Sequence, residues 1–115
     1  MRFTYQSGSN TATNGTALGA AQQDVYVYKV VIGLPVANGN VILYNKSVAY
    51  SGDTQNIAFK ATLPGTITNS FSYNYPTVYD FGFQAPLQLD GGLLMIDQTM
   101  QVTVIWEPFS FAVVL

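Results

Sequence analysis

The chain has 115 residues, of which 49% are hydrophobic and 9% charged, and its net charge is -2 with four basic residues. Charged residues usually make up about a quarter of a globular chain, so this surface is built from neutral polar groups, and the basic footprint of a nucleic-acid-binding protein is excluded. Cysteine and histidine are both absent, which removes disulfides, thiolate nucleophiles, Cys-based zinc sites and the commonest general base and metal ligand.

That composition points away from an enzyme, and no cofactor is expected. The length is that of one domain. In a chain of this size, burial and ordering entropy nearly offset each other. A small net charge does little to keep copies apart, so a subunit stabilised by its neighbours is expected. The longest nearly apolar stretch, Val30 to Ala37, contains Gly33 and Pro35 and is far shorter than a membrane span. The first residues lack the apolar segment of a secretory signal. Asn14-Gly15-Thr16 and Asn45-Lys46-Ser47 match the glycosylation sequon and read as chance matches in an Asn-rich chain.

Residues 1–23 read as a flexible N-terminal arm. Ser7 to Gln23 is Ser, Gly, Asn, Thr, Ala and Gln with Leu18 its one large apolar residue, too little to offset ordering. Met1, Phe3 and Tyr5 alternate and read as a short strand or an anchoring tip, with Arg2 supplying a charge contact. From Asp24 the pattern becomes that of strands, and residues 24–107 read as the folded domain. Val25, Val27, Lys29 and Val31 alternate with Tyr26, Tyr28, Val30 and Ile32. Two apolar faces suit a strand covered on both sides. Leu34-Pro35 ends it, Asn38-Gly39-Asn40 is a turn, and Val41 to Tyr44 returns as the second strand of a hairpin.

A further turn at Ser51-Gly52-Asp53 leads to a strand over Thr54 to Thr62, with Ile57, Phe59 and Ala61 on one face. Thr66 to Pro76 reads as a loop. Thr77 to Gln84 alternates, with Tyr79, Phe81 and Phe83 on the inner face, the pattern of a half-buried strand. Asp90-Gly91 between apolar runs signals a hairpin. Gln98 to Trp106 presents Met100, Val102, Val104 and Trp106 to the core. After Pro108, Phe109, Phe111, Val113 and Leu115 share one face of a last apolar strand over 108–115, a hazard if left as a free edge. That strand is expected to be buried, preferably against a neighbouring subunit.

No stretch carries helical periodicity. The recurring turns predict an all-β, single-domain antiparallel β-sandwich, jelly-roll-like, with about seven or eight short strands.

The six carboxylates, Asp24, Asp53, Asp80, Asp90, Asp97 and Glu107, show no spacing that pairs two of them for glycoside chemistry. Asp in turns is favoured for local hydrogen bonding, which accounts for Asp90 and Asp97 better than a calcium site does. Gly91-Gly92 is followed by no lysine and no helix, so it is not a phosphate loop. Tyr44, Tyr50, Tyr73, Tyr75 and Tyr79 suit sheet packing first, a protein interface second and a sugar-stacking platform third. Tyr26, Tyr28 and Val30, or the face opposite them, are the expected subunit contact.

One layout runs from Val30 to Trp106. A polar N-terminus precedes Val30-Val31-Ile32 and Val41-Ile42-Leu43-Tyr44. Ser51-Gly52-Asp53 and Ile57-Ala58-Phe59 follow, then Asp80-Phe81-Gly82, the segment Pro86 to Ile96 and Val102-Thr103-Val104-Ile105-Trp106. This layout resembles that of the small β proteins of tailed bacteriophages that act as capsid decoration, or cement, proteins and related virion accessory subunits. Pro108 to Leu115 extends beyond it. The resemblance implies a structural protein on the capsid surface of the virion, a homotrimer bound to the major capsid protein. The alternative is a tail or fibre module that recognises a bacterial surface glycan. Neither reading involves a membrane.

Overall fold

The computed structural model describes residues 1–13, 15–19, 23–33, 38–45, 56–63 and 77–108. Nine strands are found among them: β1 (Arg2–Gln6), β2 (Thr16–Leu18), β3 (Asp24–Ile32), β4 (Gly39–Tyr44), β5 (Ile57–Leu63), β6 (Thr77–Asp80), β7 (Leu87–Asp90), β8 (Gly92–Ile96) and β9 (Val102–Pro108). The single helical element among the described residues is a 3-10 turn at Thr11–Thr13. The strands form two antiparallel sheets. The first has the order β1-β9-β3-β6, with β7 also on β3, and the second has the order β2-β8-β4-β5.

The chain is therefore a β-sandwich, and its pairing is nested. β1 pairs with β9, β2 with β8, β3 with both β7 and β6, and β4 with β5. Two further pairings, β3 with β9 and β4 with β8, complete the sheets. A ladder of nested pairs rolled into two sheets is the jelly-roll arrangement.

The core lies between the sheets. Val25, Val27, Val30 and Ile32 of β3 meet Val102, Val104 and Trp106 of β9, and face Val41, Leu43, Leu94 and Ile96 of the second sheet. The inward set expected for the last strand, Met100, Val102, Val104 and Trp106, is buried as a row. β8 is buried along its whole length: Leu94 and Ile96 enter the core, and Leu93 and Met95 join Tyr44 in a second apolar cluster.

Several local expectations are corrected by this topology. β3 and β4 lie in different sheets, so residues 24–44 are no hairpin. Asp90-Gly91 also joins two sheets, since β7 pairs with β3 while β8 pairs with β2 and β4. β7 lies at the far edge of the first sheet and exposes Gln88 and Asp90, whereas β8 lies between β2 and β4 and is buried on both faces. The glycine pair makes the crossing possible. Gly91 takes a φ of 78°, which favours glycine. At Gly92 a Cβ would stand 3.0 Å from Val25 Cγ2 and 3.1 Å from Leu18 Cβ.

Residues 1–18 are not an arm. β1 extends the first sheet beside β9 and β2 extends the second beside β8, so the sandwich runs from Arg2 to Pro108 rather than over 24–107. Main-chain pairing is indifferent to side-chain polarity, and Leu18, fully buried, supplies the apolar anchor. Between the two strands lies Asn10, the one buried polar side chain among the described residues. Its Nδ2 donates to the Leu94 carbonyl at 2.8 Å and to Thr16 Oγ1 at 3.0 Å, and its Oδ1 accepts from the Ile96 amide at 2.7 Å. Its own amide donates to the Ile96 carbonyl at 3.1 Å. Asn10 thus continues the β8 edge beyond the reach of three-residue β2. Buried polar groups left without partners cost about 1–3 kcal/mol each. Asn10→Ala should therefore lower stability by about 2–4 kcal/mol, read as a lower urea midpoint with an unchanged slope.

Candidate interaction surface

Directly opposed residues of an antiparallel pair project to the same face of a sheet. Val102, Val104 and Trp106 point inward, so Thr103, Ile105 and Glu107 point outward. The registers then place two outward rows across the first sheet. Phe3, Ile105, Lys29 and Asp80 form one; Tyr5, Thr103, Val31 and Val78 form the other. Phe3 is 68% exposed, Tyr5 58% and Val78 50%. Lys29 Nζ lies 3.6 Å from Asp80 Oδ2, so the two charges in the rows neutralise each other. The result is a neutral, ring-studded face on a rigid sheet.

β3 carries more apolar residues than one core face needs, and a bulge resolves the excess. The register with β9 shifts between Val27 and Lys29, which makes Tyr28 the extra residue. The shift lets Val25 and Val27 before it, and Val30 and Ile32 after it, all enter the core. Tyr26, Tyr28 and Val30 are therefore not one contact surface: Val30 is fully buried and serves the core. Tyr28 turns to the outer side, where its Oη donates to Glu107 Oε1 at 2.6 Å and its ring lies 4.9 Å from that of Phe83. The Tyr28 carbonyl accepts from the Phe81 amide at 2.8 Å. Tyr26 sits opposite Glu107, half-buried.

The bulge also divides the far edge of the sheet. β7 covers β3 before it and β6 covers β3 after it. Strand β6 ends at Asp80, so Phe83 leaves the inner face expected of it and stands 69% exposed. Phe81 stays at the core margin beside Phe59.

Phe3 and Tyr5 are exposed as an anchoring tip requires, but on a paired strand. Arg2 does not reach away from the protein: its guanidinium lies 5.5 Å over the Trp106 ring, a cation–π contact, while Trp106 Nε1 donates to Thr4 Oγ1 at 2.8 Å. These two contacts seal the edge of the sandwich. Phe109, Phe111, Val113 and Leu115 lie outside the described residues. Val78, Phe83 and Ile105 were missed by sequence reasoning. The outward phase of Ile105 was implicit in the inward phase of Val104 and Trp106; nothing local marked Phe83.

The tyrosine platform does not form from its described members. Tyr44 is buried, and Tyr79 packs edge-on against Phe59 at 4.9 Å; Tyr50, Tyr73 and Tyr75 lie outside the described residues. The carboxylates do pair in one place, which their sequence spacing concealed. Asp24 stands opposite Asp90 in the β3–β7 register, and a hydrogen bond with Asp90, then desolvation and the Asp90 charge, raise the Asp24 carboxyl above its ordinary range. The Asp90 amide donates to Asn45 Oδ1. Asp97 instead accepts from the Asn40 amide at 2.6 Å and from Asn40 Nδ2 at 2.7 Å, a long-range clamp between the ends of β8 and β4 in place of the local turn bonding expected of it. No group of three His, Cys, Asp or Glu side chains that could hold a metal occurs among the described residues.

Two titrations follow from this geometry. The hydrogen bond to Glu107, together with burial and the Glu107 charge, pushes the Tyr28 hydroxyl from 10.0 to about 12. The folded state holds this proton more tightly than the unfolded chain, so its contribution is complete below the ordinary tyrosine range and is lost as pH rises through about 12. Tyr28→Phe should lose about 1 kcal/mol at neutral pH and flatten the alkaline limb of the stability profile. Asp24 is also raised, so the stabilisation from its proton is present in acid and is lost as pH climbs through the raised value. Asp90→Asn should remove that loss, leaving the variant more heat-stable than the parent at neutral pH and not at acid pH. Compared with known proteins, the chain matches no family model, no curated protein and no solved structure.

Proposed function

We propose that the chain is a non-enzymatic structural subunit of a virion, decorating and stabilising a bacteriophage capsid through contacts with its own copies and with the major capsid protein. The observation that carries this reading is the exposed aromatic face of the first sheet, with Phe3 and Tyr5 on β1 and Phe83 beyond β6. Aromatic side chains are enriched at protein interfaces, and large apolar side chains gathered on one exposed face point to a contact surface. The fold agrees with it, since jelly rolls recur in viral capsid domains, although a fold by itself assigns no function. The layout resemblance to decoration proteins points the same way.

The same exposed rings favour a second reading, a tail or fibre module that stacks a bacterial surface glycan; jelly rolls also recur in lectins. Quantitative mass spectrometry of purified particles, paired with a glycan array probed with the isolated protein, separates the two. The decoration reading expects a copy number comparable to that of the shell protein and no bound glycan. A few copies per particle with a bound glycan would favour the fibre reading, and absence from particles would refute both.

A further inference from the structure

We infer that the outer face of the first sheet is a self-association surface, on which a second copy of this chain docks about a two-fold axis. This rests on the reading above that the face is a contact surface, and it commits to the occupant and the symmetry. The exposed rings of Phe3 and Tyr5 stand on β1 along one margin of the sheet, and the exposed Val78 stands on β6 at the other; Phe83 lies against Tyr28, off the row that ends at Val78. Between them, on β9 and β3, the row from Tyr5 to Val78 is filled by the smaller Thr103 and Val31. A face with large side chains along one margin and a shallow centre fits its own copy when inverted, so that Phe3 and Tyr5 of each subunit lie over the Val31 to Val78 side of the other. In such an isologous contact every pairing is made twice.

Area favours the two-fold arrangement over a ring. A fully buried aromatic side chain covers about 150–250 Å². At the exposures of Phe3, Tyr5 and Phe83, with Val78 half exposed, the face offers about 400 Å² of apolar surface. A stable interface buries about 800 Å² per partner, somewhat over half of it apolar. A two-fold contact uses both margins at once and reaches that scale. A three-fold ring, the symmetry implied by the resemblance, would use one margin of each subunit per contact and bury about half as much.

Electrostatics permits the contact. An isologous interface sets a face against a copy of itself, which disfavours a face of one sign. Here Lys29 and Asp80 neutralise each other within the subunit, 3.6 Å apart.

Sedimentation velocity on the full chain, from low to high micromolar concentration, tests the inference without any virion. A reversible dimer is expected. Phe3→Ser with Tyr5→Ser, and separately Val78→Lys on the opposite margin, should each weaken dimerisation at least tenfold. Because these side chains are exposed in the subunit, both variants should keep the circular dichroism of the parent. A parent that stays monomeric throughout, a trimer in place of a dimer, or dimerisation unchanged in folded variants would each overturn the inference. A monomeric parent that nevertheless binds capsids or glycan would assign the face to that partner and overturn it too. A dimer that never associates with particles would keep the inference and refute the decoration reading instead.

Discussion

The structure depends on one constraint: nearly every strand of the first half of the chain pairs with a strand of the second half. β1 waits for β9, β2 for β8 and β3 for β7 and β6, and among the described strands only the paired β4 and β5 are neighbours in sequence. The core follows from this nesting, because Val25, Val27, Val30 and Ile32 meet Val102, Val104 and Trp106 only when the two ends of the chain lie side by side. Asn10 holds the crossover between β1 and β2 in place. A side chain that reproduces strand pairing with Leu94 and Ile96 allows the chain to change sheets without leaving a buried edge unsatisfied.

Much of the fold was legible in the sequence. Period-two alternation marked the strand from Ile57, the strand from Thr77 and the inward row Met100 to Trp106, and the lack of helical periodicity fixed the class. Partner choice was not legible, because turn chemistry reports only on neighbours. Asp90-Gly91 is as suitable for a sheet-to-sheet crossing as for a hairpin, and what decides between them is burial on strands far away. The strand at Phe3 and Tyr5 was one of two readings of their alternation, whereas β2, within Ser7 to Gln23, was missed for a related reason. The poverty of that segment in apolar groups argues against an independent core, but not against pairing with strands that already have one; Leu18 and Asn10 suffice. The Asp24–Asp90 pair is a matter of register across a long separation, invisible to local spacing.

The outer face was half legible. Phe3 and Tyr5 could be singled out as unburied anchors from their isolation in a polar segment. The split of Tyr26, Tyr28 and Val30 could not, because an uninterrupted alternation gives no sign of an extra residue. The bulge at Tyr28 serves both faces of the sheet. It lets four aliphatic residues of β3 into one core, and it places a phenol beside Glu107 and Phe83 on the outside. Interior packing and the shape of the exposed face are therefore set by the same backbone irregularity, and neither can be altered there alone.

The nested ladder also governs the order in which the protein can be made. Synthesis delivers β1, β2 and β3 well before β6, β7, β8 and β9, the strands they pair with. Among the described strands β4 with β5 is the one pair that can close before the later strands are made, and the remaining ladder is dominated by distant contacts and correspondingly slow to form. Until β9 emerges, the apolar edge of β3 has no cover, and such edges are where nascent chains associate wrongly. Slow pairing over long sequence separations is thus a consequence of topology, independent of how stable the finished sandwich is.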